Sequence, residues 1–275
     1  MRTIVITGGS DGIGAAAAEQ LAGPGVRLVL VGRSPEKTRA VAGRVGAEYH
    51  LADFSRLDEV RALADALLEQ YPRIDVLANN AGGMFPGPER TQDGFERTFQ
   101  VNHLAPYLLT HQLIDRLLES NATVVNTASI AARLYSRLDL EDLGAWGSFT
   151  PTRAYGNAKL ANILFTKGLH ERYHASGLSA VAFHPGVVAT SFAAGADNYF
   201  RWLYHGAAAR FLTSPAQGGA TLAHFVTGQP GTDWDSGEFY GSNRKPARTD
   251  RSAYDPWVIH EHWERSARLL GVRWP

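Results

Sequence analysis

Apolar and polar positions alternate along this chain with two periods. Short β-branched or aliphatic runs take turns with longer stretches of helical pattern, the arrangement of a parallel sheet with crossover helices. The runs predict strands over Thr3–Thr7, Arg27–Val31, Ala47–His50, Ile74–Ala78, Thr123–Thr127, Ser179–Phe183 and Glu238–Tyr240. Helices are predicted over Gly12–Ala22, Pro35–Val45, Ser55–Gln70, Gly94–Glu119 with a break, Ala154–His174, Pro215–Phe225 and Pro256–Leu270. Ser55-Arg56-Leu57-Asp58 gives the third of these a capping-box start, in which the hydroxyl and the acid three residues on satisfy free amides. Nothing repeats at a fixed period and no low-complexity linker divides the chain. The expected fold is α/β, a single domain over residues 1–275, with a doubly wound parallel sheet of about seven strands and helices on both faces. Ile130–Arg153 and Ser191–Ser214 break the rhythm, and long insertions serve either as substrate loops or as surface excursions.

Composition narrows the function classes. With 275 residues and 44% hydrophobic content the chain can bury a full core. Lys+Arg and Asp+Glu both number 27, so no net charge steers it to nucleic acid or anionic lipid, and neither partner is expected. The absence of cysteine removes disulfides, thiolate nucleophiles and Cys-based metal sites. The apolar run Thr3–Thr7 at the amino terminus is too short for a signal peptide or membrane span, so a cytoplasmic protein without a transmembrane anchor is expected. His170 and His174 share a helical face and His260 and His262 flank Glu261, yet no third ligand accompanies either pair. No metal site is expected, and these are read as surface histidines. His103 and His184 are read as structural.

Thr7-Gly8-Gly9-Ser10-Asp11-Gly12-Ile13-Gly14 closes the first strand and opens the first helix. There Gly8 permits a tight turn, Gly12 lets backbone amides approach a pyrophosphate, and Gly14 lets the helix pack closely on the strand. The second strand ends Val31-Gly32-Arg33-Ser34. A carboxylate at that place binds the ribose hydroxyls of NAD, whereas Arg33 can hold a 2′-phosphate, which favours NADP; Asp11 inside the turn argues the other way, so NAD stays open. Asp53 is either an acceptor for an adenine amino group or a turn residue before Ser55. Asn79-Asn80-Ala81-Gly82 after the fourth strand either lines the cofactor and braces the sheet or is an ordinary turn.

Tyr155-Gly156-Asn157-Ala158-Lys159 places a phenol and an ammonium one helical turn apart. A phenol with its ordinary pKa of about 10 is a poor base at neutral pH unless a cation stabilises the phenolate, which Lys159 can do. Ser129, just past the fifth strand, faces the ligand crevice of such a sheet and can donate to a substrate oxygen, or else it is a turn residue. Asn102, in the mostly apolar Val101-Asn102-His103-Leu104, either holds a water between helix and Lys159 or satisfies a local helix break.

Taken in order, the glycine turn, Asn79-Asn80-Ala81-Gly82, Asn102, Ser129, Tyr155/Lys159 and Pro185-Gly186 resemble the short-chain dehydrogenase/reductase family over nearly the whole chain. Tyr155–Asn162, His184–Thr190, Ser236–Tyr240 and the wide gap from Ser129 to Tyr155 resemble its retinol-dehydrogenase-like branch. The resemblance implies a Rossmann fold and a tetrad: Tyr155 as acid/base, Ser129 polarising the carbonyl, Lys159 on the nicotinamide ribose, and Asn102 supporting a water relay. It implies cofactor contacts at Gly8, Ser10, Asp11, Gly12, Ile13, Gly14, Arg33, Asp53, Phe54, Asn80, Ala81 and Gly82. Tyr155, Lys159, Pro185, Gly186, Val188 and Thr190 would contact the nicotinamide end. The expected reaction is NADP(H)-dependent interconversion of a carbonyl and an alcohol. A dinucleotide sensor without turnover and an epimerase or dehydratase remain as alternatives. Phe192, Tyr199, Phe200, Trp202, Tyr204 and Phe211 can cover an apolar substrate, pack on the core, or pack on a second subunit of a homo-oligomer.

Overall fold

In the computed structural model, which describes residues 1–187 and 213–275, the apolar runs form one parallel sheet. Its strands are β1 (Arg2–Thr7), β2 (Val26–Gly32), β3 (Glu48–Leu51), β4 (Val76–Asn79), β5 (Thr123–Thr127), β6 (Ser179–Phe183) and β7 (Phe239–Tyr240), in the order β3-β2-β1-β4-β5-β6-β7. β4, β5 and β6 are buried at every position, which is why they read as continuous apolar runs: helices cover both faces of the sheet.

The helices are α1 (Gly12–Leu21), α2 (Pro35–Val45), α3 (Leu57–Gln70), α4 (Arg97–Phe99), α5 (Ala105–Gln112), α6 (Ile114–Glu119), α7 (Ala131–Leu134), α8 (Pro151–Tyr173), α9 (Pro215–Thr227) and α10 (Pro256–Leu270). Alternate side chains of each strand point to opposite layers. Ile4, Ile6, Leu30 and Val181 pack with Leu21 of α1, Val41 of α2 and Phe225 of α9. Val5, Val29, Leu77 and Val124 pack with Leu67 of α3, Leu108 of α5 and Phe165 of α8. The strand order reverses direction between β1 and β4, which opens a crevice at their carboxyl ends.

The predicted capping box at Ser55 does not form. Ser55 N and Oγ both bond Asp53 Oδ1 (2.9 and 2.8 Å), and α3 starts only at Leu57, whose amide donates to Asp93 Oδ2 at 3.0 Å. A carboxylate two residues upstream is the stronger local acceptor and draws Ser55 into a turn. A capping box stands instead at α9, between Ser214 and Gln217. The helical run expected from Gly94 begins at Arg97, where the Glu96 carboxylate accepts from Thr98 N and Phe99 N (2.8 and 2.7 Å). Its break is a π-helical turn, Gln100–Leu104, in which Ala105 N bonds Gln100 O. Pro106 has no amide to offer the Asn102 carbonyl four residues earlier, which explains the irregularity.

Residues 130–153 carry α7 and a short 3-10 turn, Trp146–Ser148. This excursion is tied down: Asn157 of α8 accepts from Arg137 N at 2.7 Å, and Arg265 of α10 donates to Leu140 O at 2.9 Å. Val188, Thr190 and residues 191–212 of the expected substrate loop lie outside the described residues. Among the described residues, no helix is long and apolar enough to cross a membrane.

Candidate active site

The glycine turn sits where β1 meets α1. Gly8 has φ +66°, a value that disfavours any side chain, and a Cβ on Gly14 would lie 2.2 Å from Gly8 O, so helix and turn touch backbone to backbone. Asp11 caps α1, accepting from Gly12 N at 2.7 Å. Asn80 ties the turn to the sheet: its N donates to Thr7 Oγ1 (2.9 Å) and its Nδ2 to Thr7 O (3.0 Å), while its Oδ1 accepts from Thr127 Oγ1 (3.3 Å). Asn80 is thus more than an ordinary turn former, since it braces three strands and also lines the crevice.

That crevice has a volume of about 600 Å³ and crosses the carboxyl ends of β1, β2 and β4. Gly8, Ser10, Asp11, Gly12, Ile13, Arg33, Asp53, Phe54, Asn80, Ala81 and Gly82 line it, whereas Gly14 lies behind it as a packing residue. Lys37 lines it too, and sequence reasoning missed it. Its signal was its place in the first turn of α2, four residues after Arg33. Lys37 Nζ pairs with Asp11 Oδ2 at 2.9 Å, both side chains more than half exposed, so the acid that argued against NADP is already balanced. An exposed pair of this kind is worth only about 0–1 kcal/mol, and the ammonium can change partners at little cost. Arg33 is exposed, with no hydrogen bond among the described residues. Asp53 is a turn residue through Oδ1, and it lines the crevice as well.

Deeper in, α8 carries Tyr155 and Lys159, both buried. Lys159 is 2% exposed; its Nζ donates to Thr127 O at 3.1 Å and lies 5.5 Å from the centre of the Tyr155 ring. Burial pulls this ammonium down to about 7. Gly82 fits between two of the candidate groups, because a Cβ there would meet Asn102 Oδ1 at 2.4 Å and Lys159 Nζ at 3.1 Å. The Asn102 amide clamps the backbone beside it: Oδ1 accepts from Gly83 N (3.1 Å), and Nδ2 donates to Gly83 O (2.7 Å) and Thr98 O (2.8 Å). These bonds tie the helical run to the loop after β4. Ser129 follows β5, and its Oγ accepts from Ala131 N at 3.2 Å, which leaves the hydroxyl proton for another partner. Pro185 and Gly186 follow β6 at the same edge of the sheet.

The reading of His262 as a surface residue is wrong. It is fully buried, its ring centre 4.7 Å from that of His103, and neither of its nitrogens has a hydrogen-bond partner among the described residues. Burial and the neighbouring His103 keep it neutral. Ile259, His262, Trp263, Ser266 and Leu270 all face inward from α10, and their i, i+3, i+4 spacing was the available signal. His260 and His174 are exposed as expected, and His170 is half-buried. His103 is buried against Phe99, Tyr107 and Phe165.

The family model described as short chain dehydrogenase matches residues 2–198. The chain belongs to the short-chain dehydrogenase family. A Streptomyces sp. (strain C5) protein named "Putative daunorubicin C-13 ketoreductase DnrU" is 39% identical to this short-chain dehydrogenase, over 98% of this chain and 93% of the relative. Retinol dehydrogenase 12 of Mus musculus is 34% identical over 99% of this chain and 87% of the relative. A solved structure from Mycobacterium Paratuberculosis superimposes with a TM-score of 0.78 at 31% identity, covering 100% of this chain and 95% of that one. The short-chain dehydrogenase is thus retinol-dehydrogenase-like and an NAD(P)-dependent oxidoreductase. The crevice fits such a dinucleotide: a helix amino terminus, whose partial positive charge suits a phosphate, opens onto it behind a glycine turn, and two cationic side chains line it past the end of β2.

Proposed function

We propose that this enzyme interconverts the carbonyl and alcohol forms of an apolar small molecule with NADP(H), using Tyr155, Ser129, Lys159 and Asn102. The observation that carries the reading is Lys159, an ammonium kept almost wholly from solvent within 5.5 Å of the Tyr155 ring. Burying a cation is costly, and a neighbouring group that becomes an anion during reaction gives that cost a use.

In the direction of reduction the Tyr155 hydroxyl gives its proton to the carbonyl oxygen, and the Lys159 ammonium stabilises the phenolate left behind. Ser129 donates its hydroxyl proton to the same oxygen, since its Oγ already accepts from Ala131 N and is thereby oriented. Lys159 Nζ would also hold the nicotinamide ribose. The Asn102 side chain is committed to Gly83 and Thr98, so its part in a water path runs through the backbone carbonyl that Pro106 cannot bond. When bound, the cofactor supplies the hydride for reduction or accepts it for oxidation. Gly8, Ser10, Gly12 and Ile13 would hold its pyrophosphate, Asp53 and Phe54 its adenine, and Arg33 with Lys37 a 2′-phosphate. Asn80, Ala81 and Gly82 would line its middle, and Pro185 and Gly186, with Val188 and Thr190 as the sequence expects, would line its nicotinamide end.

Two observations support an apolar substrate. Relatives carry names that refer to a daunorubicin ketoreductase and to a retinol dehydrogenase, and residues 191–214 are rich in aromatics. The test is cofactor consumption with a panel of ketones, aldehydes and quinones, in NADPH and in NADH. Faster turnover of bulky apolar carbonyls with NADPH is expected. No turnover of any member with either cofactor contradicts the proposal.

A further inference from the structure

Behind Lys159 lies a line of buried polar groups for which the chemistry above has no use. Asn162 sits one helical turn after Lys159, and its Nδ2 donates to Thr127 O at 3.2 Å, the carbonyl that also accepts from Lys159 Nζ at 3.1 Å. With Nδ2 turned to that carbonyl, Asn162 Oδ1 faces away and lies 3.4 Å from His103 Nδ1. His103 Nε2 in turn is 3.0 Å from Ser266 Oγ on α10. An amide oxygen only accepts, so Nδ1 carries the ring proton; a neutral ring then accepts at Nε2 from the Ser266 hydroxyl. Burial, which draws His103 down to about 3, keeps the ring neutral. The donors therefore all point one way, from Ser266 through His103 and Asn162 to Thr127, and every member is buried.

Packing alone does not account for His103. Its ring packs at tilted and edge-on angles among Phe99, Tyr107, Phe165 and His262, where a phenyl group would pack as well without two polar nitrogens to satisfy. What a phenyl group lacks is the donor to Asn162. Without that donor Asn162 Oδ1 is left buried and unsatisfied, so the side chain shifts toward another donor and loosens its hold on the Thr127 carbonyl, and the Lys159 stem, with four rotatable carbons, follows the carbonyl.

We propose that His103 is a positioning residue for Lys159: it fixes the Asn162 amide in the orientation that holds the Thr127 carbonyl, and through it the Lys159 ammonium, in place. This rests on the reading of Tyr155 and Lys159 given above.

The test compares two substitutions at one position. In His103→Asn the side-chain nitrogen falls where Nδ1 was and can still donate to Asn162; in His103→Gln it falls where Nε2 was and reaches only Ser266. His103→Gln is expected to lower kcat about tenfold, less than the roughly hundredfold that a 1 Å misplacement can cost, with the substrate KM within about twofold of wild type. His103→Asn is expected to recover most of that loss, although both variants melt at similar, lowered temperatures. If the two variants share one kcat, whether wild-type or reduced in step with stability, the inference is overturned. Asn162→Ala, which only removes atoms, keeps the test alive should His103→Gln not fold. It is expected to lose kcat to the same degree as His103→Gln, and the double variant to lose little more; additive losses overturn the inference. Tyr155→Phe is measured alongside. A Tyr155→Phe enzyme that keeps its turnover brings down the catalytic reading and this inference with it. An inactive Tyr155→Phe beside a wild-type-like His103→Gln overturns this inference alone.

Discussion

Lys159 is held at about 7 by burial, against an ordinary value of 10.5, and this has a consequence for stability with a definite sign. Between those values the unfolded chain still binds the proton and the folded one has released it, so stability rises with pH across that window; below it the full cost of the buried charge is present. Lys159→Met is therefore predicted to melt several degrees above wild type near pH 6.5, with the gap closing toward pH 9.5, and to have lost turnover. Melting curves at the two pH values check this, and a gap that does not narrow speaks against a buried cation. At the other end of the crevice, loss of a charge-assisted bond costs about 1.5–3 kcal/mol, so Arg33→Ala should weaken NADPH roughly tenfold to a hundredfold and leave NADH nearly unchanged. Lys37→Ala should act in the same direction, because it removes a cation that lines the crevice beside Arg33. Fluorescence titration with both cofactors checks the pair, and a wild type that prefers NADH refutes the cofactor assignment. Single residues were legible where spacing carried chemistry, as with Tyr155 and Lys159. Lys37, Asn157 and Asn162 were given no role of their own, because their partners lie 20 to 59 positions away, and His262 was misread because its helix face is turned inward.

At the scale of elements, α8 reaches the turn after Ser129 through Gly156. A Cβ there would stand 2.8 Å from Ser136 N and 2.9 Å from Ala131 O, both backbone atoms that cannot swing aside. Alanine in a helix interior gains about 0.5–1 kcal/mol over glycine, but overpacking costs about 1–3 kcal/mol, so the clash decides the sign. Gly156→Ala is predicted to lower the melting temperature and to lower kcat more than KM, since Tyr155 must move with its neighbour; a stabilised, fully active variant contradicts the close approach. Most strands were legible within two residues, because strands buried on both faces leave no ambiguity between runs and turns. Helix starts were less so. Asp53 captured the hydroxyl expected to cap α3, and Glu96 rather than Gly94 opened α4, each a choice between neighbouring acceptors that only geometry makes. The break near Asn102 was expected, but its form, a π-helical turn with Pro106 behind it, needed the backbone.

For the molecule as a whole, the order β3-β2-β1-β4-β5-β6-β7 gathers Arg33, Gly8, Asn80, Ser129 and Gly186 from the ends of five strands onto one edge of the sheet. No two of these are close in sequence. The parallel topology brings them together, which is why an ordered set of weak motifs was a stronger guide than any motif alone. Substrate identity was not legible, because shape and chemistry of a substrate pocket come from long connections whose path the periodicity of the chain does not encode. The central claim is that the Tyr155 hydroxyl moves the proton in a carbonyl–alcohol conversion, and the most direct test is turnover of Tyr155→Phe measured beside its affinity for NADPH. The account predicts a loss of roughly a hundredfold to ten-thousandfold in kcat with affinity nearly unchanged. Retention of more than about half of the wild-type turnover would contradict it.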